Sequence, residues 1–151
     1  MKIKSIFILF LVGLLPLATK AQCKSFVKKC LPGMSPYTHN GQVNVQKMAA
    51  GEKAELEMTF YAGQNYRILL GAEETLGKFQ MKLMDEDKNV LYDNTGSHEL
   101  HKDFKVESTI SITIEITVPK VALAANQQPA SGCISLLVGF KQQPPTGKGG
   151  F

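Results

Sequence analysis

The chain has 151 residues, with 17 basic and 13 acidic side chains and a formal net charge of +4. Three of the lysines, Lys2, Lys4 and Lys20, lie in a predicted leader, and without them 14 basic groups face 13 acidic ones. So small a net charge removes the overall basicity that would have suggested nucleic acid or an anionic membrane as a partner. About 130 residues after the leader are enough for one domain.

The first 21 residues have the pattern of a secretory signal peptide. An apolar run from Ile6 to Leu17 is too short to span a bilayer but has the length of a signal-peptide core. Thr19 and Ala21 are the small residues expected just before a cleavage point, so we expect cleavage after Ala21. The sequence therefore predicts a secreted or periplasmic protein with no membrane span after cleavage.

A lipid anchor on Cys23 is not expected. A lipoprotein signal has a Leu-like residue three positions before the modified cysteine and a small residue immediately before it. Lys20 and Gln22 occupy these positions. The sequence therefore predicts a protein without a lipid anchor.

Cys23, Cys30 and Cys133 remain after leader removal. In an oxidising compartment three cysteines favour one disulfide and one free thiol. If residues 24–29 are helical, Cys23 and Cys30 lie about 10 Å apart, too far to pair with each other. We therefore expect a bridge to Cys133, with Cys30 as the preferred partner and Cys23 as the alternative. It would tether an N-terminal segment, residues 22–41.

Period-two alternation of apolar and polar residues predicts strands between residues 42 and 141. Residues Ile110 to Val118 alternate without an error. Turn signals at Ala62–Asn65 and Asp85–Asn89 predict a hairpin-like connection and a charged turn. About eight strands at a spacing of roughly ten residues predict an all-β fold, an antiparallel jelly-roll-like β-sandwich. Residues 142–151 are expected to form a flexible tail.

Four stretches occur in a recognisable order: Ala62 to Tyr66, Phe79 to Asp85, Val90 to Asn94, and Cys133 to Val138. This order resembles the bacterial pre-peptidase C-terminal (PPC-like) domain, a small jelly-roll sandwich appended to secreted enzymes. A leader ending in Lys-Ala-Gln is similar to those of secreted Bacteroidetes proteins. The resemblance implies a fold and an exported setting, and no catalytic residues. The chain departs from it by lacking a peptidase and the late Gly-Thr-Tyr motif.

Two groups of side chains are candidate metal ligands. Asp85, Asp87 and Asp93 could form a loose calcium site, although an EF-hand is excluded because its essential Gly and Glu positions hold Val90 and Gly96. A solvated turn is the favoured interpretation.

His98, His101 and Asp103 form the second group, a candidate zinc site. No helix is predicted there to bring the two imidazoles onto one face. Surface histidines are therefore the favoured interpretation, and no cofactor is predicted.

Catalytic motifs are missing from the sequence: it has neither a Gly-x-Ser-x-Gly nor a Cys-His signature. Glu55, Glu57 and Glu115 are interpreted as solvent faces of strands rather than as a glycosidase pair. We therefore expect a non-catalytic module with a binding or structural role in the cell envelope or periplasm. The alternative is a small secreted hydrolase or metal-dependent enzyme.

The binding module would have an unknown protein or glycan partner, and nucleic acid is not expected. Its candidate contact residues are three tyrosines that could form an exposed row: Tyr37, Tyr61 and Tyr92. The enzyme alternative would use His98 and His101.

Overall fold

The computed structural model of the chain describes residues 19–142. The predicted leader up to residue 18 and the tail from residue 143 lie outside the described residues, while Ala21 lies in the first helix. This helix, α1 (Thr19–Cys30), is followed by a 3-10 turn (Leu31–Met34) and eight strands. The strands are β1 (Thr38–Ala49), β2 (Lys53–Phe60), β3 (Gln64–Ala72), β4 (Gln80–Met84), β5 (Val90–Asp93), β6 (His101–Val106), β7 (Ile110–Thr117) and β8 (Ser131–Gln142).

The eight strands form two four-stranded antiparallel sheets packed face to face. Sheet I has the order β1-β8-β3-β6, and sheet II has the order β2-β7-β4-β5. This is the eight-stranded arrangement of a jelly roll. The prediction of an all-β antiparallel sandwich is confirmed. Among residues 19–142, no helix has the length and apolar character needed to cross a membrane.

The two predicted turns have different outcomes. Asp85–Asn89 joins β4 to β5 within sheet II, as a charged hairpin turn. The turn at Ala62–Asn65 does not form the expected hairpin, because β2 belongs to sheet II and β3 to sheet I. Gly63, with φ of 80°, instead donates its N–H to Val106 at 2.9 Å as the chain crosses between the sheets.

The core lies between the sheets and follows the alternation in the sequence. In β7, Ile112, Ile114 and Ile116 are buried, while the residues between them are only partly covered. One end of the core is closed by Phe60, whose ring packs edge-on against those of Tyr66 and Phe104 at 4.9 and 5.2 Å.

Residues 23–37 of the N-terminal segment cover the outer face of sheet I. Residues 132–139 of β8 are consequently buried on both faces. Val27 of α1 and Met34 of the 3-10 turn pack on the outward side chain of Leu137. A Cβ added at Gly71 would collide with the Cys30 sulfur, so glycine permits the close approach of α1.

The disulfide joins Cys23, not the preferred Cys30, to Cys133. Because seven residues are two helical turns, both cysteines lie on the face of α1 that packs against β8. The position of α1 places Cys23 at Cys133, whereas the free Cys30 lies at Ser135, with 3.4 Å between Sγ and Oγ. The expectation for Cys30 was therefore wrong and the alternative pairing is present.

Arg67 of β3 holds the end of the N-terminal segment against sheet I. Its Nε and Nη2 donate to the two carboxylate oxygens of Asp103 at 2.7 Å, and Nη1 donates to the carbonyls of Gly33 and Ser35 at 3.0 and 2.8 Å. The Tyr37 ring lies 4.7 Å from the guanidinium. The hydrogen bond from Arg67 lowers the pKa of Asp103, and burial raises the pKa of Tyr37.

The sandwich begins earlier than the predicted boundary at residue 42. Thr38 already pairs with Phe140, and the register of β1 and β8 is interrupted between His39 and Val43. Gly41, with φ of 86°, lies in this irregular stretch. Because this stretch has two more residues than the part of β8 opposite it, it is a bulge inside β1.

Candidate binding cleft

The predicted zinc ligands do not assemble into a site. His98 lies in the turn after β5, while His101 begins β6 opposite Leu69. Both carboxylate oxygens of Asp103 are bound by Arg67. Within residues 19–142, no three His, Cys, Asp or Glu side chains are placed to hold a metal ion.

The candidate calcium ligands are also separated. Asp85 accepts hydrogen bonds from the backbone and side-chain amides of Asn89 at 2.8 and 2.9 Å, which lower its pKa. Asp93 lies at the far end of β5, where it accepts from Thr95 and its pKa is lowered. These carboxylates stabilise the two ends of the hairpin.

The three candidate tyrosines do not form a row. Tyr37 lies beside Arg67 on the outer face of sheet I. The Tyr92 ring packs against the core and carries the Lys102 ammonium at 4.6 Å from its centroid. Tyr61, 61% exposed, lies at the end of β2. Only Tyr61 among these three borders the cleft between β1 and β2.

The two sides of the sandwich differ. On one side, Lys102 of β6 reaches across to Tyr92 of β5. On the other side, the edge strands β1 and β2 face each other across two hollows of about 300 and 530 Å³. The first is lined by residues 43–46 and 54–56 and the second by Asn40, Gln42 and residues 57–61, so they follow one another directly. We call them together the edge cleft.

One wall of the edge cleft carries a row of primary amides. Asn44 and Gln46 stand opposite Leu136 and Ile134, which point into the core. Because directly opposed residues share a face of a sheet, both amides face inward as well. Asn40 and Gln42 continue the row into the second hollow. These four side chains, the amide row, recur at every second position along β1: Asn40, Gln42, Asn44 and Gln46.

The side chains of the amide row differ in their hydrogen bonds within the protein. The Oδ1 atom of Asn40 accepts from the backbone N–H of Gln42 at 2.9 Å, which holds the bulge. In the described part of the chain the side-chain amides of Asn44 and Gln46 have no protein hydrogen-bond partner. Each therefore has a donor and an acceptor free for a ligand.

The rest of the edge cleft is apolar at its floor and polar at its rim. Buried side chains from β7 and β8 form the floor, among them Ile114, which is 0% exposed. Tyr61 and Gln64 lie at the rim of the second hollow. The backbone N–H of Tyr61 donates to the Tyr66 hydroxyl at 3.0 Å, which fixes the strand end that carries the exposed ring.

The described lining of the edge cleft contains no basic residue. Its acidic residues, Glu55 and Glu57, alternate with side chains that pack on the core, so both carboxylates are exposed on the outward face of β2. Lys53 lies in the same strand and pairs with Glu115 and Glu55, and the hydrogen bond to Glu115 raises its pKa. Among the described lining residues, no charged group therefore faces into the cleft.

The amide row was not among the residues singled out from the sequence. The inward positions of β1 hold amides rather than the apolar residues whose alternation predicts a strand that faces the core. Asn or Gln at four consecutive alternate positions was a signal available in the sequence, and in the structure these residues lie on an edge strand beside an open cleft.

Comparisons with known proteins give a structural similarity and no family. No protein-family model matches the chain, and no curated protein matches it. Among solved structures, it is similar to PliG, a periplasmic inhibitor of g-type lysozyme from Aeromonas hydrophila, with a TM-score of 0.49 and 10% identity. The match covers 70% of this chain and 89% of that chain. At this similarity it assigns neither residues nor a ligand.

Proposed function

We propose that this chain is a non-catalytic binding module of the periplasm or the secreted fraction, and that it holds its partner in the edge cleft. The observation that carries the proposal is the combination found there: free side-chain amides, an exposed tyrosine and an apolar floor, brought to one side of a rigid sandwich. Pockets of this kind bind through apolar surface and gain orientation from a few polar groups.

Recognition fits the cleft better than catalysis. The carboxylates Glu55 and Glu57 are exposed on β2. The free thiol of Cys30 lies between α1 and the outer face of sheet I, away from the cleft. Asp103 serves to hold the N-terminal segment through Arg67. The described residues that could carry chemistry are thus spread over the molecule, while those that could recognise a ligand lie together.

Export is supported by two independent features. The first 21 residues have the pattern of a signal peptide. Cys23 and Cys133 form a disulfide between residues 110 positions apart, and such bridges persist in oxidising compartments.

Hydrogen exchange tests the proposal with natural mixtures of candidate ligands. The purified protein is incubated separately with the glycan fraction and with the protein fraction of the cell envelope of the organism that makes it. Binding in the edge cleft slows amide exchange in peptides covering residues 40–46 and 54–61. Peptides of β5 and β6, on the other side of the sandwich, serve as the internal control and keep their exchange rates.

Two outcomes contradict the proposal. One is protection confined to residues 90–93 and 101–106, which would place binding at the β5 and β6 side. The other is unchanged exchange with both fractions.

A further inference from the structure

We infer that the edge cleft binds a neutral oligosaccharide, a statement about ligand class that rests on the function proposed above. The amide row lies opposite residues 134–139 of β8, at most five residue steps or roughly 16 Å at the rise of an extended strand. That length suits a short chain of sugar rings rather than a single ring. The two hollows, of about 300 and 530 Å³, have the size of small-molecule sites.

The amide row matches the hydrogen-bonding pattern of a sugar chain. Each sugar hydroxyl both donates and accepts a hydrogen bond, and a primary amide presents two donors and one acceptor oxygen. Asn44 and Gln46 stand two residues apart on one face of a strand, so both can contact a chain that runs along β1. Amides carry no charge, and they can therefore recognise hydroxyls without requiring an ionised ligand.

Tyr61 provides a stacking surface at one end of the amide row. Its ring is 61% exposed next to the hollow that also contains Asn40 and Gln42. The C–H face of a pyranose ring is apolar and packs against the face of an aromatic ring, as other apolar surfaces do. Because the Tyr66 hydroxyl holds the Tyr61 backbone, this ring is supported by the closed end of the core.

The lining of the cleft offers no counter-ion to an acidic sugar. Among the described lining residues there is no Lys, Arg or His, and the side chains of Glu55 and Glu57 lie on the outward face of β2. A uronate or sulfate group would lose hydration in the cleft without gaining a cationic partner. The ligand is therefore a neutral oligosaccharide.

A peptide added as an extra strand fits this edge less well. Strand addition needs an uninterrupted row of backbone groups on the edge strand. The bulge at Asn40–Gln42, with Gly41 at φ of 86°, interrupts β1 beside the larger hollow. Bulges are a known way in which proteins block pairing at sheet edges.

Calorimetric titration with defined oligosaccharides tests the inference. The four neutral ligands are tetramers of glucose, N-acetylglucosamine, mannose and xylose, and tetragalacturonate is the acidic counterpart. We expect at least one neutral tetramer to bind. We expect tetragalacturonate to bind about tenfold more weakly or not at all, because no described lining residue provides a cationic partner for its carboxylates.

Substitutions then locate the bound chain. Asn44→Ala and Gln46→Ala should each raise Kd about fivefold, as loss of one or two neutral hydrogen bonds does. Tyr61→Ala should raise it about tenfold, whereas Tyr61→Phe keeps the ring and the affinity. Gln128→Ala, an exposed loop amide outside the cleft, is the matched control and leaves Kd unchanged. All variants should retain the thermal midpoint of the parent protein.

The outcomes separate the inference from the proposed function. The glycan inference is wrong if all four neutral tetramers fail to bind. It is also wrong if the Asn44→Ala, Gln46→Ala and Tyr61→Ala variants bind a tetramer as tightly as the parent protein does. Tighter binding of tetragalacturonate would overturn it as well. If only the protein fraction protects the edge cleft in the exchange experiment, the proposed binding module is retained. Its ligand is then a protein rather than an oligosaccharide.

Discussion

The buried amide of Asn94 connects β5 to two other parts of the chain. Its Oδ1 accepts from the Met81 backbone at 2.8 Å and its Nδ2 donates to the Glu99 carbonyl at 3.0 Å, and the residue is 0% exposed. Asn94→Ala leaves the Met81 N–H without this partner, so we expect a loss of about 2–3 kcal/mol in the free energy of unfolding. Urea denaturation measures the change.

The control for this prediction is Asn89→Ala. The Asn89 amide contacts the Asp85 carboxylate in an exposed turn, and its loss should cost less than about 1 kcal/mol. Equal losses of unfolding free energy in the two variants would contradict the stabilising role assigned to the buried amide of Asn94.

The Arg67–Asp103 pair predicts a pH dependence of stability. The hydrogen bond from Arg67 is the main cause that lowers the pKa of Asp103 in the folded protein. A carboxylate with a lowered folded pKa contributes stability that is present above its unfolded pKa, about 4, and is lost as the pH falls through the folded value. The stability gap between wild type and Asp103→Asn should therefore be largest at neutral pH and narrow below pH about 4.

Urea denaturation at a series of pH values measures this gap. Asp87→Asn, in the exposed β4–β5 turn, is the control and should show a small gap. A gap for Asp103→Asn that is independent of pH would contradict the assigned role of the ion pair.

Individual residues were predictable from the sequence where one chemical property decided their place. The alternation in β7 predicted which residues face the core, because a half-buried strand separates apolar from polar side chains. The role of Arg67 was not predictable. Its four partner atoms belong to Gly33, Ser35 and Asp103, which are distant in the sequence. They come together only because the N-terminal segment folds onto sheet I.

At the scale of elements, the contact between α1 and β3 depends on the absence of a side chain. A Cβ at Gly71 would collide with Cys30 Sγ and would lie 2.7 Å from Ser135 Oγ. We expect Gly71→Ala to lower the free energy of unfolding by about 1–3 kcal/mol, the usual cost of overpacking. The added substitution Cys30→Ala should recover part of this loss, because it removes the sulfur.

Gly96→Ala is the matched control, since a Cβ at Gly96 meets no atom within 4 Å. It should change stability by less than about 1 kcal/mol. If the double variant Gly71→Ala/Cys30→Ala is no more stable than Gly71→Ala alone, the sulfur is not the obstacle. Thermal and urea unfolding of the four proteins provide the comparison.

The elements of the fold were largely predicted, and their connections less so. The strands followed from period two, but the turn at Ala62–Asn65 was expected to join neighbours in one sheet. A short turn between two alternating strands has the same sequence pattern whether the chain stays in its sheet or crosses to the other. The pairing partner of β2 is β7, and this long-range choice has no local signal.

At the scale of the whole molecule, the Cys23–Cys133 bridge closes almost the entire described chain, with a separation of 110 residues. Removing it with Cys23→Ala should cost about 5 kcal/mol by loop entropy. Cys30→Ala should cost much less, because the bridge is retained.

Peptide mapping by mass spectrometry after alkylation of the unfolded, unreduced protein provides the direct check. We expect one labelled thiol per molecule, on Cys30, and a linked Cys23–Cys133 peptide pair. A Cys30–Cys133 pair, which the sequence had favoured, would contradict the position of α1 on sheet I.

The cleft itself could be predicted only in part. Tyr61 was one of three tyrosines considered as an exposed row, and the other two, Tyr37 and Tyr92, have other roles. The sequence could not show that β1 and β2 are edge strands on the same side, and this placement makes the amide row and Tyr61 parts of one surface.

The account rests on the edge cleft as the binding surface, and side-chain NH₂ resonances test this most directly. The titrant is the neutral tetrasaccharide of highest affinity or, if none binds, the protective envelope fraction. The NH₂ signals of Asn44 and Gln46 should shift during the titration, and those of Gln127 and Gln128 in the exposed loop should not. Shifts confined to residues outside the edge cleft, with Asn44 and Gln46 unchanged, would contradict the account.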